Sequence, residues 1–156
     1  AKELKFTIEK SKPLTDDESI TIAIFDNDTE GINQFKGLNK YFEPINKRVK
    51  KANDKNIYAI KIPVPHFRSI YKNNGNENQY FSIEHYFEDE FLKKYNMLIE
   101  TGIPNIYKIN DKKSSKKAFS KAIQELEDPK IFAHFIVLFE TIDKITETKI
   151  DYNAKS

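Results

Sequence analysis

A chain of 156 residues is long enough for one domain with a core of its own, and 12 Phe and 8 Tyr argue against disorder despite a charged fraction of 32%. Cysteine is absent, which excludes a disulfide framework, a thiolate nucleophile and a Cys-type zinc site. Lys and Arg number 26 against 24 Asp and Glu, so the formal charge of +2 demands neither nucleic acid nor a membrane surface, and no apolar run approaches a membrane span. A soluble cytoplasmic domain, or a piece of a larger protein, is the expectation.

Leu4, Phe6 and Ile8 alternate with polar residues, which predicts a short half-buried strand ahead of a polar, acidic loop over 13–19. Residues 20–25, Ile-Thr-Ile-Ala-Ile-Phe, are a near-continuous apolar run, the pattern of a strand buried on both faces in a parallel sheet. After Asp28 the period turns helical, with Ile32, Phe35, Leu38 and Phe42 on one face and Asp28 or Thr29 as the cap. Gly37 weakens that helix by roughly 1 kcal/mol relative to Ala without overturning it. Residues 44–56, with Lys47, Arg48, Lys50, Lys51 and Lys55, read as a loop or a frayed helix end. Ile57 to Ile62 is the second clear strand, closed by Pro63 and Pro65, which cannot donate to a ladder. Strand, helix and strand in that order predict a βαβ unit with a parallel pair and a right-handed crossover.

The Asn-rich stretch 72–78, with Gly75 inside it, reads as a mobile loop. Phe87, Phe91, Leu92 and Tyr95 predict a short helix, and Ile106, Tyr107 and Ile109 a small strand. A basic turn over 112–117 then leads into an amphipathic helix marked by Ala118, Phe119, Ala122, Ile123 and Leu126. Asp128-Pro129 is a helix-start signature, followed by a stripe of Ile131, Phe132, Phe135, Leu138, Phe139, Ile142 and Ile145. The organisation expected is an α/β core over 1–110, a helical part over 111–147 packing on the same core, and a tail over 148–156.

In an open α/β sheet, ligands gather beyond the carboxyl ends of the strands, where Asp26 and Asp28 fall. Two carboxylates at i and i+2 can hold a hard cation through oxygen, Mg²⁺ above all, because it needs only one or two carboxylates and takes the rest from water and phosphate. The same Asp-Asn-Asp serves equally as a turn and helix cap. Glu84, between Ile83 and Tyr86, is the other carboxylate singled out, against the plainer reading of a first-turn residue favoured by the helix dipole. His66, His85 and His134 lack metal-ligand spacing and read as surface or packing residues. The lysine groups at 47–55 and 112–117 read as solvated faces before phosphate contacts, and the Phe stripe as core or interface. No Ser-His-Asp set, P-loop or G-x-G-x-x-G is present.

Four segments in order resemble one family. Phe25-Asp26-Asn27-Asp28-Thr29-Glu30-Gly31 is similar to the D-x-D-x-x-G segment of Toprim domains, in particular those of the OLD (overcoming lysogenization defect) family of ATP-dependent endonucleases. Residues 62–68, Ile-Pro-Val-Pro-His-Phe-Arg, resemble its Pro-Val-Pro stretch. Residues 82–87 resemble its Ile-Glu-His-Tyr box, and Lys116-Lys117-Ala118-Phe119 its C-terminal Lys-x-x-Phe. The resemblance covers about 18–147. It implies a Toprim-like parallel sheet, partly Rossmann-like, with an α-helical C-terminal part, and Mg²⁺- or Mn²⁺-dependent hydrolysis of DNA. Asp26, Asp28 and Glu84 would be metal and catalytic residues, Glu30 a further ligand on the same loop, and Lys116 the cation for phosphate charge. The Toprim Glu expected upstream of D-x-D has no counterpart in the context of Glu3 or Glu9. The expectation is therefore a C-terminal fragment, inactive alone, with an ATPase domain upstream and scope for a homodimer. A non-catalytic interaction or regulatory domain is the alternative. A haloacid dehalogenase-like phosphatase is less favoured, because Thr29 directly follows Asp28 and the later Lys and Asp pair is missing.

Overall fold

Strand β5 (Ile57–Lys61) separates two apolar layers, and its sequence shows why. Ile57 and Ala59 face one side while Tyr58 and Ile60 face the other, and all four are buried. The first face packs with Phe25, Phe35, Leu38, Phe42 and Ala52. The second packs with Ile62, Val64, Tyr71, Phe81, Tyr86, Leu138 and Ile145. The computed structural model describes residues 20–53, 56–73 and 80–147, so the strand expected around Leu4 to Ile8, Lys55, most of the Asn-rich loop and the tail lie outside the described residues.

In chain order, β1 (Thr21–Phe25) leads through a two-residue bridge strand, β2 (Asn27–Asp28), into helix α1 (Thr29–Lys36). The antiparallel strands β3 (Phe42–Pro44) and β4 (Val49–Ala52) come next, then β5. The four-stranded sheet has the order β1-β5-β4-β3. β1 and β5 run parallel, with Ala23 opposite Ala59, and β4 pairs antiparallel with β5. The fold is mixed α/β with one parallel pair among the described residues, as the strand-helix-strand pattern predicted.

Three expectations change. The sheet is mixed rather than parallel, because residues 44–56 supply a hairpin instead of a loop or helix end. Alternation was hidden there by lysines, and Lys50 is buried. Its ammonium donates to the Phe35 carbonyl at 2.5 Å and to Asn39 Oδ1 at 2.6 Å, and lies 4.0 Å from the centre of the Phe35 ring. It thus ends α1 by serving a terminal carbonyl, not a phosphate. Second, β1 is the end strand of the described sheet and is not buried on both faces, since Ile24 is 44% exposed. Third, α1 stops at Lys36, so Leu38 reaches the core from a turn and Phe42 from β3.

After β5, residues 63–65 run extended into a 3₁₀ turn (His66–Arg68) and helix α2 (Ile70–Asn73). A second 3₁₀ turn (Ile83–Tyr86) precedes helix α3 (Asp89–Lys94) and the antiparallel pair β6 (Leu98–Glu100) and β7 (Tyr107–Ile109). Helix α4 (Lys113–Gln124) begins inside the basic stretch read as a turn. Its lysines are exposed and its Ser115 and Phe119 are buried. Asp128 caps as predicted, accepting from Lys130 N at 2.9 Å, but the helix it opens is 3₁₀ over Pro129–Phe135 before α5 (Ile136–Glu147) continues. Among the described residues no helix is long and apolar enough to cross a membrane.

Candidate functional site

The site forms where β1 ends. The backbone of Phe25 is held to β5 by Ile62 N–H, which donates to the Phe25 carbonyl at 2.9 Å. Asp26 therefore stands at the carboxyl end of the parallel pair. Residues Asn27 and Asp28 then bridge in antiparallel fashion to Phe81 and Tyr80. That bridge brings the second 3₁₀ turn alongside, and Ile83 N–H donates to Asp26 Oδ1 at 2.8 Å across 57 positions of sequence. Glu84 is the next residue. One cavity of about 340 Å³ is lined by Asp26, Asp28, Glu30, Glu84 and Lys116. Every residue predicted for the site borders it.

Asp28 is also the helix cap. Its Oδ1 accepts from Gly31 N–H at 2.7 Å, satisfying a free donor of the first turn of α1. The capping and ligand readings are thus not exclusive, because a carboxylate has two oxygens. Gly31 packs so closely on Asp26 that an added Cβ would meet the Asp26 carbonyl oxygen. Burial is the main cause that raises the Asp26 carboxyl to about 6; the Ile83 N–H opposes it, while nearby Glu84 and Asp28 add to it. Lys116 lowers it again from the far side of the cavity. Lys116 itself is paired with Asp111 at 2.7 Å, and that bond holds its ammonium charged.

Asp26 and Asp28 are the residues that could hold a divalent cation here, and only one that keeps most of its water. Among the described residues no three acidic or histidine side chains converge as a metal-ion cage. Asp26 and Asp28 each give one oxygen to a backbone N–H, and Mg²⁺ is commonly held by one or two carboxylates with water and phosphate completing its shell. Glu84 and Asp28 add to the rise of the Asp26 carboxyl that burial begins, and Lys116 opposes it.

His85 is no ligand. It is fully buried, with Nδ1 accepting from Ser82 N–H at 3.0 Å and Nε2 facing the Tyr107 carbonyl at 3.1 Å. Those partners assign its proton to Nε2 and occupy both nitrogens. Burial, reinforced by Arg68, holds the imidazole down at about 4. His66 is exposed, and His134 stacks on Phe67 and meets Glu88 Oε1 at 2.7 Å.

Arg68 is the residue that sequence reasoning passed over. It is buried, and it donates from Nε to the His85 carbonyl at 3.0 Å and from Nη2 to the Phe87 carbonyl at 2.7 Å. Its Nη1 lies 2.6 Å from Asp89 Oδ1. Arg68 thereby fixes the turn that carries Glu84. Tyr80, Ser82, Lys108 and Asp111 also border the cavity without having been expected there. Lys108 and Asp111 flank the end of β7, where no periodicity marks them, whereas the Pro-Val-Pro stretch ahead of Arg68 was a visible signal.

Asp26 and His85 drive stability in opposite directions over one pH window. Protonated His85 is disfavoured in the folded state, so its share of stability is complete above pH 6.5 and is lost as pH falls toward about 4. Protonated Asp26 is favoured in the folded state, so its share is complete below pH 3.8 and is lost as pH rises through about 6. The His85 share amounts to about 3 kcal/mol, and that of the partly exposed Asp26 to about 2 kcal/mol after solvent screening. Together these two groups should change the wild-type stability in urea by only about 1 kcal/mol between these limits. Asp26→Asn keeps an acceptor for Ile83 and removes one slope, so its stability should climb with pH by about 3 kcal/mol. A variant as flat as the wild type contradicts the His85 assignment.

Compared with known protein families, curated proteins and solved structures, the chain matches none.

Proposed function

We propose that this chain is a Toprim-like domain of the OLD class of ATP-linked endonucleases, binding Mg²⁺ or Mn²⁺ at Asp26 and Asp28 and hydrolysing DNA phosphodiesters as part of a larger assembly. The observation that carries the reading is the convergence of Asp26, Asp28, Glu84 and Lys116 on one cavity at the carboxyl end of β1. Asp26 follows β1, Asp28 ends β2, Glu84 lies in a 3₁₀ turn and Lys116 in α4, and their order matches the resemblance. A bound cation would polarise a phosphoryl oxygen and lower the pKa of its water.

The chain's own groups divide the remaining work. Ile83 N–H fixes the Asp26 carboxylate, and Gly31 N–H fixes that of Asp28, so neither needs to reorganise when a ligand arrives. Lys116 supplies a positive charge against the phosphate, and Asp111 anchors it there. Glu84 is half-buried opposite Asp26 and provides either a further oxygen for the cation shell or an acceptor for its water. DNA is the proposed partner, and an ATPase domain the proposed companion.

The alternative is a non-catalytic interaction domain, in which Asp28 serves only as a cap and Asp26 only as an acceptor for Ile83. Titration with Mn²⁺ separates the two. The nuclease reading expects paramagnetic broadening of the Asp26 and Ile83 amides, abolished in Asp26→Ala, and Mn²⁺-dependent nicking of DNA by the intact protein that Asp28→Ala removes. Unbroadened amides together with an inactive intact protein would leave the interaction reading.

A further inference from the structure

Beside the acidic cavity lies a second hollow of about 510 Å³, within the range of small-ligand sites. Its lining is mostly apolar; Phe132 and Phe135 are half-buried rings on it, while Met97 and Phe119 are themselves buried. Glu84 and Lys116 border both spaces. On α4, Lys116, Ser120 and Gln124 recur every fourth residue and so form one row along the helix. The row starts at the cation facing the carboxylates and ends at an amide on the rim of the apolar hollow.

This arrangement suits a flat ring joined by a short tether to a phosphate. The half-buried rings of Phe132 and Phe135 offer stacking and edge contacts to such a ring. The Gln124 amide carries both a donor and an acceptor, which is what a base edge requires and an alkyl chain cannot use. We infer that the hollow takes one unpaired nucleobase of a nucleic-acid strand whose phosphate lies against Lys116, where the two spaces meet. The assignment rests on the phosphodiester reading of the acidic cavity. It makes the substrate single-stranded, frayed or flipped at the point of attack, since a paired base cannot leave its stack without cost.

The test uses the full chain in Mg²⁺ and a short single-stranded oligonucleotide with one 2-aminopurine, beside abasic and duplex versions. Base entry should change the 2-aminopurine fluorescence. The abasic version should bind about tenfold more weakly, and Gln124→Ala should weaken only the strands that carry a base, with an unchanged melting temperature. Equal affinity for abasic, single-stranded and duplex DNA overturns the pocket. So does stronger competition by decyl phosphate than by a nucleoside monophosphate, which would mark an alkyl site. Mn²⁺ broadening of the Asp26 amide, recorded on the same sample, separates the two proposals. Broadening without base dependence removes the pocket alone, and base dependence without broadening removes the cation site alone. The absence of both removes both.

Discussion

Gly31→Ala is expected to unfold about 4–8 °C below the wild type and, on the proposed metal reading, to lose the Mn²⁺ response of Asp26. The added methyl would stand 2.2 Å from the Asp26 carbonyl oxygen and 2.8 Å from its carbon. These are backbone atoms, which cannot rotate aside as a side chain can. Overpacking costs about 1–3 kcal/mol where side chains can adjust, so a backbone clash belongs at the top of that range or beyond. Alanine's better helix propensity returns only about 1 kcal/mol. Relief requires α1 to move away from the loop, which also withdraws the Gly31 N–H from Asp28. Gly37→Ala is the control. Gly37 has helical dihedrals, and its added methyl would lie 3.3 Å from the Gln34 carbonyl oxygen, so its effect should stay within about 1 kcal/mol. Wild-type melting of Gly31→Ala would show that the helix does not seat on the Asp26 backbone.

The contrast between Gly31 and Arg68 also shows what the sequence made legible. Strand β1, its loop and the cap on α1 were readable because apolar run, carboxylates and helical period follow one another locally. Parallel pairing of β1 with β5 followed from the same local order. Residues 44–56 were misread because the buried members of that hairpin include Lys50, whose ammonium is satisfied by a helix-end carbonyl that no local pattern announces. Residues 20–25 suggested full burial, yet burial depends on which strand lies beside them, and that is a property of topology. The five residues singled out, Asp26, Asp28, Glu30, Glu84 and Lys116, were legible and border one cavity; Tyr80, Ser82, Lys108 and Asp111, which line it too, were not. What holds the five was not legible either, because Ile83 N–H reaches Asp26 across 57 positions and Arg68 reaches the Glu84 turn across 17 and 19.

Arg68→Ala should cost about 3–5 kcal/mol, most of it from the two buried carbonyls that lose their donor. The guanidinium serves three elements at once. It satisfies the His85 and Phe87 carbonyls, pairs with Asp89 at the start of α3, and lies 4.7 Å from the centre of the Phe67 ring. Alanine would leave two carbonyls without their donor, each a loss of about 1–3 kcal/mol when water cannot replace it. Arg68→Lys retains the charge but not the planar fork, so it should recover the Asp89 pair and at most one carbonyl. Asp89→Asn removes only the charge partner at a one-third exposed position and should cost about 1 kcal/mol. A double-mutant cycle over Arg68→Lys and Asp89→Asn yields the coupling without depending on the most damaged variant. The turn held by Arg68 carries both Ile83 and Glu84, so weakening it should also loosen Asp26. Mn²⁺ affinity should fall in the order of stability, from wild type through Asp89→Asn and Arg68→Lys to Arg68→Ala. Arg68→Lys with wild-type stability but lost Mn²⁺ affinity would place Arg68 in ligand binding itself. Stability loss with unchanged affinity would detach the Glu84 turn from the proposed cation site.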